Sequence, residues 1–333
     1  MFEVFGITFP FFVLVLAGFL ATSKKLLPLE SIPGLNIFVL YFALPCMLFR
    51  FGAQSQLGSL ISLSVFITYF LGAVLMVGLA LYISRTMGIG WNNAAFGALV
   101  AAFPNTGFMG VPLLFALFGT PATATAIITI IIDMIFTTSF CIALSRLEGA
   151  DIHGTRTALV NAFKGILVNP MPWAIGLGVV FCDLNWTLWA PINKTVQLLS
   201  DAASPTALFT LGAVLARSWI NQVNHQTNIQ NKIHLHHKRV DYLTLSFLKL
   251  VIHPCIILIL GNLALFMGFV LDPFALKIMV LNAALPSASN VVMLTQRYGA
   301  DSERVAKIIL CTTAIAFLSF SSLVRVYDSL LRF

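Results

Sequence analysis

The sequence predicts an all-α, polytopic membrane protein of about ten transmembrane helices, arranged as two inverted five-helix repeats. Three observations predict it. The chain is 59% hydrophobic and only 9% charged, whereas soluble domains run near 25% charged. Its apolar residues fall in runs near the length of about 20 that spans a bilayer. Two of those runs, the fourth and the ninth, are broken by proline and glycine at matching places.

In order, the spans fall near 5–22, 32–52, 59–84, 92–118, 121–145, 158–181, 190–216, 242–270, 274–296 and 303–325. The first lacks a basic leader and a small-residue cleavage site, so it reads as a retained helix rather than a signal peptide. The second carries Pro45 with Phe49 four residues on, and the seventh repeats this with Pro205 and Phe209. Five spans per half is odd, so the second half enters from the opposite side. The halves then run 1–150 and 151–333, with a polar linker loop at 218–240. His234, His236 and His237 in that loop read as solvated residues before they read as a metal site. Cys46, Cys141, Cys182, Cys255 and Cys311 have no metal or redox spacing, so no metal and no cofactor is expected.

The net charge of +7 does not mark a nucleic-acid partner. The basic residues sort by side. Lys24, Lys25, Arg85, Arg146, Arg156, Lys164, Arg217, Lys232, Lys238, Arg239, Arg297, Arg304 and Lys307 fall on one side. Arg50, Lys194, Lys277, Arg325 and Arg332 fall on the other. Basic excess marks the cytoplasmic side, which puts both termini outside the cytoplasm.

The broken spans read "AAFPNTGFMGVPLLFALFG" (101–119) and "LNAALPSASNVVMLTQRYG" (281–299). A proline inside a helix costs about 3 kcal/mol. Irregular backbone survives at membrane depth only where protein buries it or a cavity borders it. Interrupted spans in corresponding positions of two halves point to a transporter site near the midplane. The half-helix N-termini favour an anion. The candidate substrate residues are Pro104, Asn105, Thr106, Gly107, Pro286, Ser287, Ser289 and Asn290, with Asn36 and Tyr41 from the second span. Asp133 sits mid-span, where an ionisable group reads as functional. Asp201 is expected to pair with Lys249 or His253, which share a helix face. These four are the candidates for ion or proton coupling.

At "FPNTGFMGVPLLFALFG", "AALPSASNVVMLTQRYG", "LNIFVLYFALPCMLF" and "SPTALFTLGAVLA" the chain resembles the auxin efflux carrier family. Within it, the chain is most similar to the bacterial malonate and malate permease branch, because it lacks the long cytoplasmic loop of many plant members. The resemblance implies a fold like the bile-acid symporters and sodium/proton antiporters, with the fourth and ninth helices crossed and an elevator cycle. It implies that Pro104, Asn105 and Pro286 fall at substrate positions, and that the protein sits in a bacterial inner membrane.

The functional expectation is a secondary transporter of a small organic anion, with proton or sodium coupling open and membrane lipid as surroundings. A cation/proton antiporter on the same architecture and a transporter-like sensor are the alternatives. No phosphate-binding Gly-Lys-Ser/Thr loop, nucleophile elbow or zinc-binding His-Glu pair occurs, so no enzyme is expected. Substrate, direction and oligomeric state stay open, a homodimer included. The topology is checked by cysteines placed in the 218–240 loop of intact cells. An impermeant thiol reagent should leave them unlabelled; labelling from outside would reverse the orientation.

Overall fold

A computed structural model describes residues 2–53, 62–146, 170–225 and 241–330. These residues form helices throughout. The elements are α1 (Phe2–Ser23), α2 (Ser31–Ala53), α3 (Leu63–Thr86), α4 (Trp91–Ala102), α5 (Thr106–Phe118), α6 (Thr120–Ser145), α7 (Pro170–Asp183), α8 (Ala190–His225), α9 (Asp241–Phe266), α10 (Pro273–Ala283), α11 (Val291–Tyr298) and α12 (Ser302–Leu330). Six of them, α2, α3, α6, α8, α9 and α12, are long and apolar enough to cross a membrane; shorter apolar helices lie within α1, α5, α7 and α10.

Local chemistry sets the boundaries. The Ser62 side chain accepts from the Val65 backbone N–H at the start of α3, and Asp272 does the same for Phe274 ahead of Pro273 at α10. Gly119 (φ 74°) ends α5, and Gly299 in the left-handed region ends α11. The expected fourth span is two helices, α4 and α5, and the expected ninth is α10 and α11. Residues 218–225, expected as loop, instead continue α8, because "SWINQVNH" contains neither glycine nor proline to stop it. Residues 226–240, with the three loop histidines, lie outside the described residues, as do 158–169 of the expected sixth span.

The helices pack as two bodies. One is α1, α2, α7 and α8; the other is α3 to α6 with α9 to α12. Glycines let the first body close. A Cβ at Gly18 of α1 would overlap the Phe209 carbonyl of α8, and one at Gly212 of α8 would overlap the Val15 carbonyl of α1. A Cβ at Gly178 of α7 would overlap the Phe49 carbonyl of α2, and one at Gly52 of α2 would meet the Ile175 carbonyl of α7. In the second body, Arg304 of α12 forks onto both oxygens of Asp241 at the start of α9, at 2.5 and 2.9 Å. The same guanidinium donates to the Asn93 carbonyl of α4, so one side chain fastens three helices.

Backbone obstacles at the glycines cannot swing aside, so overpacking there should exceed the usual 1–3 kcal/mol. Gly212→Ala and Gly178→Ala should sharply lower the melting temperature of the detergent-purified protein. Gly78→Ala, in open space on α3, should not. Equal melting of all three would contradict this packing.

Candidate functional site

Pro104 and Pro286 build the centre of the site. The residue before a proline is pushed out of the helical region, and Phe103 accordingly stops α4 in an extended conformation (φ −91°, ψ 105°). Two non-helical strips result, 103–105 and 284–290, and they cross. The Asn105 N–H donates to the Pro286 carbonyl at 2.8 Å, and the Ala288 N–H donates to the Phe103 carbonyl at 3.0 Å. Pro104 and Ser287 thus form a minimal antiparallel bridge. The Ser287 N–H finds Thr312 Oγ1 of α12 at 3.2 Å. Each break satisfies the backbone groups that the other exposes.

Side chains around the crossing are less fully paired. Asn105 Nδ2, Thr106 Oγ1, Ser287 Oγ and Asn290 Oδ1 are buried without a hydrogen-bond partner among the described residues. An unsatisfied buried polar group costs about 1–3 kcal/mol; of the four, Asn105 and Asn290 border a cavity, whereas Thr106 and Ser287 border neither of the two cavities at the crossing. Asn105, Gly107, Phe108 and Asn290 border a narrow cavity of about 20 Å³. Phe108 and Asn290 also border a cavity of about 220 Å³, with Ser289. That larger cavity is walled by Pro33, Asn36, Ile37 and Leu40 of α2 and by Ala207, Thr210, Val214 and Arg217 of α8. It therefore lies between the two bodies, with the crossing at its floor and a half-buried guanidinium on its wall.

The ionisable groups lie deeper in the second body. Asp133 is fully buried, accepting from Tyr69 Oη at 2.8 Å and Thr137 Oγ1 at 3.1 Å. Lys249 is fully buried too. Its Nζ donates to the Ala283 carbonyl at the end of α10 at 2.9 Å and lies 3.0 Å from His253 Nδ1. Asp133 and Lys249 interact electrostatically. Asn282 Nδ2 donates to Thr129 Oγ1 at 2.6 Å, tying α10 to α6. Asp133 and Lys249 each lie in a π turn, Asp133–Thr137 in α6 and Leu248–Ile252 in α9. Thr106–Gly110 at the start of α5 is another. Such turns recur at functional positions.

Two expectations are corrected. Asp201 does not pair with Lys249 or His253. Its carboxylate faces α2 and takes Arg50 Nη1 at 2.8 Å, with its side chain 61% exposed. Arg50 lies in the last turn of α2, inside the expected second span, and reaches across to α8. Tyr41 is 57% exposed and does not border the cavity. It follows Asn36 by five residues, about 140° around the helix, whereas Pro33 and Leu40, three before and four after, share Asn36's face. Arg217, Thr210, Phe108 and Tyr69 are site residues the sequence reading missed. Thr210 and Arg217 follow Ala207 by three and ten residues, with Val214 at seven, a spacing that keeps all four on one helix face and could have flagged them together.

Paired helix breaks, a buried ionisable cluster and a cavity between two helical bodies define a multi-pass membrane transporter. The chain matches the family described as membrane transport protein over residues 4–324 and belongs to it. It is 28% identical over 336 residues to a protein of Rhizobium meliloti (strain 1021) named "Putative malonate transporter", covering 99% of this chain and 97% of that one. It is 26% identical to an uncharacterized transporter of Escherichia coli (strain K12) over 88% of each chain. It is 24% identical to auxin efflux carrier component 8 of Arabidopsis thaliana, over 65% of this chain and 72% of that one.

Proposed function

We propose that the protein is a secondary permease for a small organic anion, a carboxylate such as malonate or malate, that works by elevator-type alternating access. The observation that carries this is the crossing of the two breaks at the floor of a cavity bordered by Arg217. The unpartnered Asn105, Thr106, Ser287 and Asn290 groups offer neutral donors and acceptors to a carboxylate. The guanidinium adds the charge and the bidentate geometry that carboxylates favour. The name of the Rhizobium meliloti relative points to the same substrate class.

The division into two bodies supports the elevator cycle, because the crossing belongs to one body and the facing wall to the other. The inverted repeat is supported by the glycine packing. α1 meets α8 through Gly18 and Gly212, and α7 meets α2 through Gly178 and Gly52, with the same carbonyl obstacles three residues along. By the charge bias, the cavity opens to the cytoplasmic side of a bacterial inner membrane, with both termini outside. A cation/proton antiporter is the weaker reading, since both Asp133 oxygens already accept hydrogen bonds.

Uptake of labelled malonate and malate into proteoliposomes holding only this protein tests the proposal. Asn105→Ala should raise the half-saturating concentration ten- to a hundred-fold, from about 1.5–3 kcal/mol of lost bonding to a charged ligand, while melting stays normal. Near-normal uptake would remove Asn105 from the site. Binding without uptake would make the protein a sensor.

Asp133 is the proposed proton carrier: ionised it repels an anion, and protonated it does not. Asp133→Asn fixes the neutral form, so it should lose accumulation driven by a pH gradient and keep counterflow exchange. Unchanged pH-driven accumulation would reduce Asp133 to a structural acceptor, and loss of a sodium requirement would make it a sodium ligand.

A further inference from the structure

The two bands of helix that wall the first body repeat in detail. "LPCMLFRFG" (44–52) and "SPTALFTLG" (204–212) share proline, phenylalanine and glycine at a constant offset of 160 positions. The packing repeats at the same offset. Gly52 abuts the Ile175 carbonyl and Val179 N of α7, and Gly212 abuts the Val15 carbonyl and Phe19 N of α1. Gly178 abuts the Phe49 carbonyl, and Gly18 abuts the Phe209 carbonyl. Backbone contacts of this kind fix rotation and register together over 44–52 and 204–212; on the N-terminal side α2 carries a π turn at Val39–Ala43, and positions there are matched by the sequence offset of 160. Arg50 corresponds to Thr210, and Ser200 corresponds to Leu40.

Thr210 and Leu40 lie on the walls of the open cavity of about 220 Å³. Their counterparts are in contact. Arg50 Nη1 donates to Ser200 Oγ at 3.2 Å and to Asp201 Oδ1 at 2.8 Å. One side of the repeat is therefore parted and the other is shut, the asymmetry that alternating access requires of two related halves. An ion pair worth about 0–1 kcal/mol in water is an odd tie to place within two apolar spans if holding α2 to α8 is all it does. A position that water reaches when the halves exchange roles removes the oddity.

We propose that Arg50 is the anion-attracting residue of a second vestibule on the face opposite Arg217, latched here by Ser200 and Asp201. The inference deepens the permease reading and rests on it. Asp201 neutralises Arg50 while the vestibule is shut. Opening parts the pair and releases a guanidinium to an incoming carboxylate. The anion thus meets Arg217 on one face and Arg50 on the other, with the crossing between them.

Two measurements test this. The first needs no substrate: in protein whose native cysteines are replaced by serine, Thr210→Cys and Ser200→Cys are treated with an impermeant thiol reagent from each face of oriented vesicles. Thr210→Cys should react from one face and Ser200→Cys from the other, and Asp201→Asn, which weakens the latch, should speed the second reaction at least threefold. Reaction of both from one face, or no reaction of Ser200→Cys even with Asp201→Asn, would overturn the proposal. The second measures malonate uptake from each face. Arg50→Gln should raise the half-saturating concentration at least tenfold on the Ser200 face and less than twofold on the other, with Arg50→Lys between. Equal change on both faces, or none, would overturn the anion role. Absence of uptake by the unsubstituted protein would defeat the permease reading, and the labelling would still decide whether a second vestibule exists.

Discussion

A backbone that leaves its helix inside a membrane must find partners for its N–H and C=O groups, because hydrocarbon offers none. This chain does so twice, at Pro104 and Pro286, and uses each break to satisfy the other through Asn105 to Pro286 and Ala288 to Phe103. Much of the second body serves that pairing. Thr312 of α12 caps the free Ser287 N–H. Asn282 anchors α10 to α6. Lys249 takes the last carbonyl of α10. Arg304 fastens the starts of α9 and α12 to α4. The result is a rigid irregular segment that presents Asn105 and Asn290 to a cavity without exposing peptide groups to lipid.

The charges are distributed by the same economy. Asp133, Tyr69, His253 and Lys249 form a buried cluster behind the crossing, while Arg217 stands in the cavity itself. A lone buried charge costs several kcal/mol, and each group has hydrogen-bond partners: Asp133 accepts from Tyr69 and Thr137, and Lys249 donates to the Ala283 carbonyl. The glycine pairs of α1 with α8 and α7 with α2 let the opposing body pack tightly enough to act as a unit. In the proposed elevator cycle, the surface between the two bodies is the plane of movement.

The parts legible in the sequence were those set by local chemistry. Pro104 and Pro286 sit among Asn, Thr, Ser and Gly at matching places, so both breaks could be read from the local sequence, whereas Pro10, Pro45 and Pro205 sit inside continuing helices; the long apolar helices and the family resemblance were legible in the same way. The face shared by Lys249 and His253 followed from their spacing. What failed depended on helix rotation and on which helices meet. Tyr41 was grouped with Asn36 despite an interval of five that turns it outward. Asp201 is expected beside Lys249 or His253, when its partner, Arg50, lies inside the second span and is counted there only as a topology charge. Arg217 was counted toward topology, and nothing local distinguishes a guanidinium on a cavity wall from one at a membrane surface. The continuation of α8 past 217 was hidden by its polar residues, which end a membrane span without ending a helix.

The central claim is that the crossing of the two breaks is where the anion binds. Cryo-electron microscopy of the protein in lipid nanodiscs with saturating malonate tests it most directly. The account predicts ligand density in contact with Asn105 and Asn290, with the Arg217 side chain turned toward it, and no such density in the Asn105→Ala protein under the same conditions. Density at another location, or unchanged density when Asn105 is removed, would contradict it.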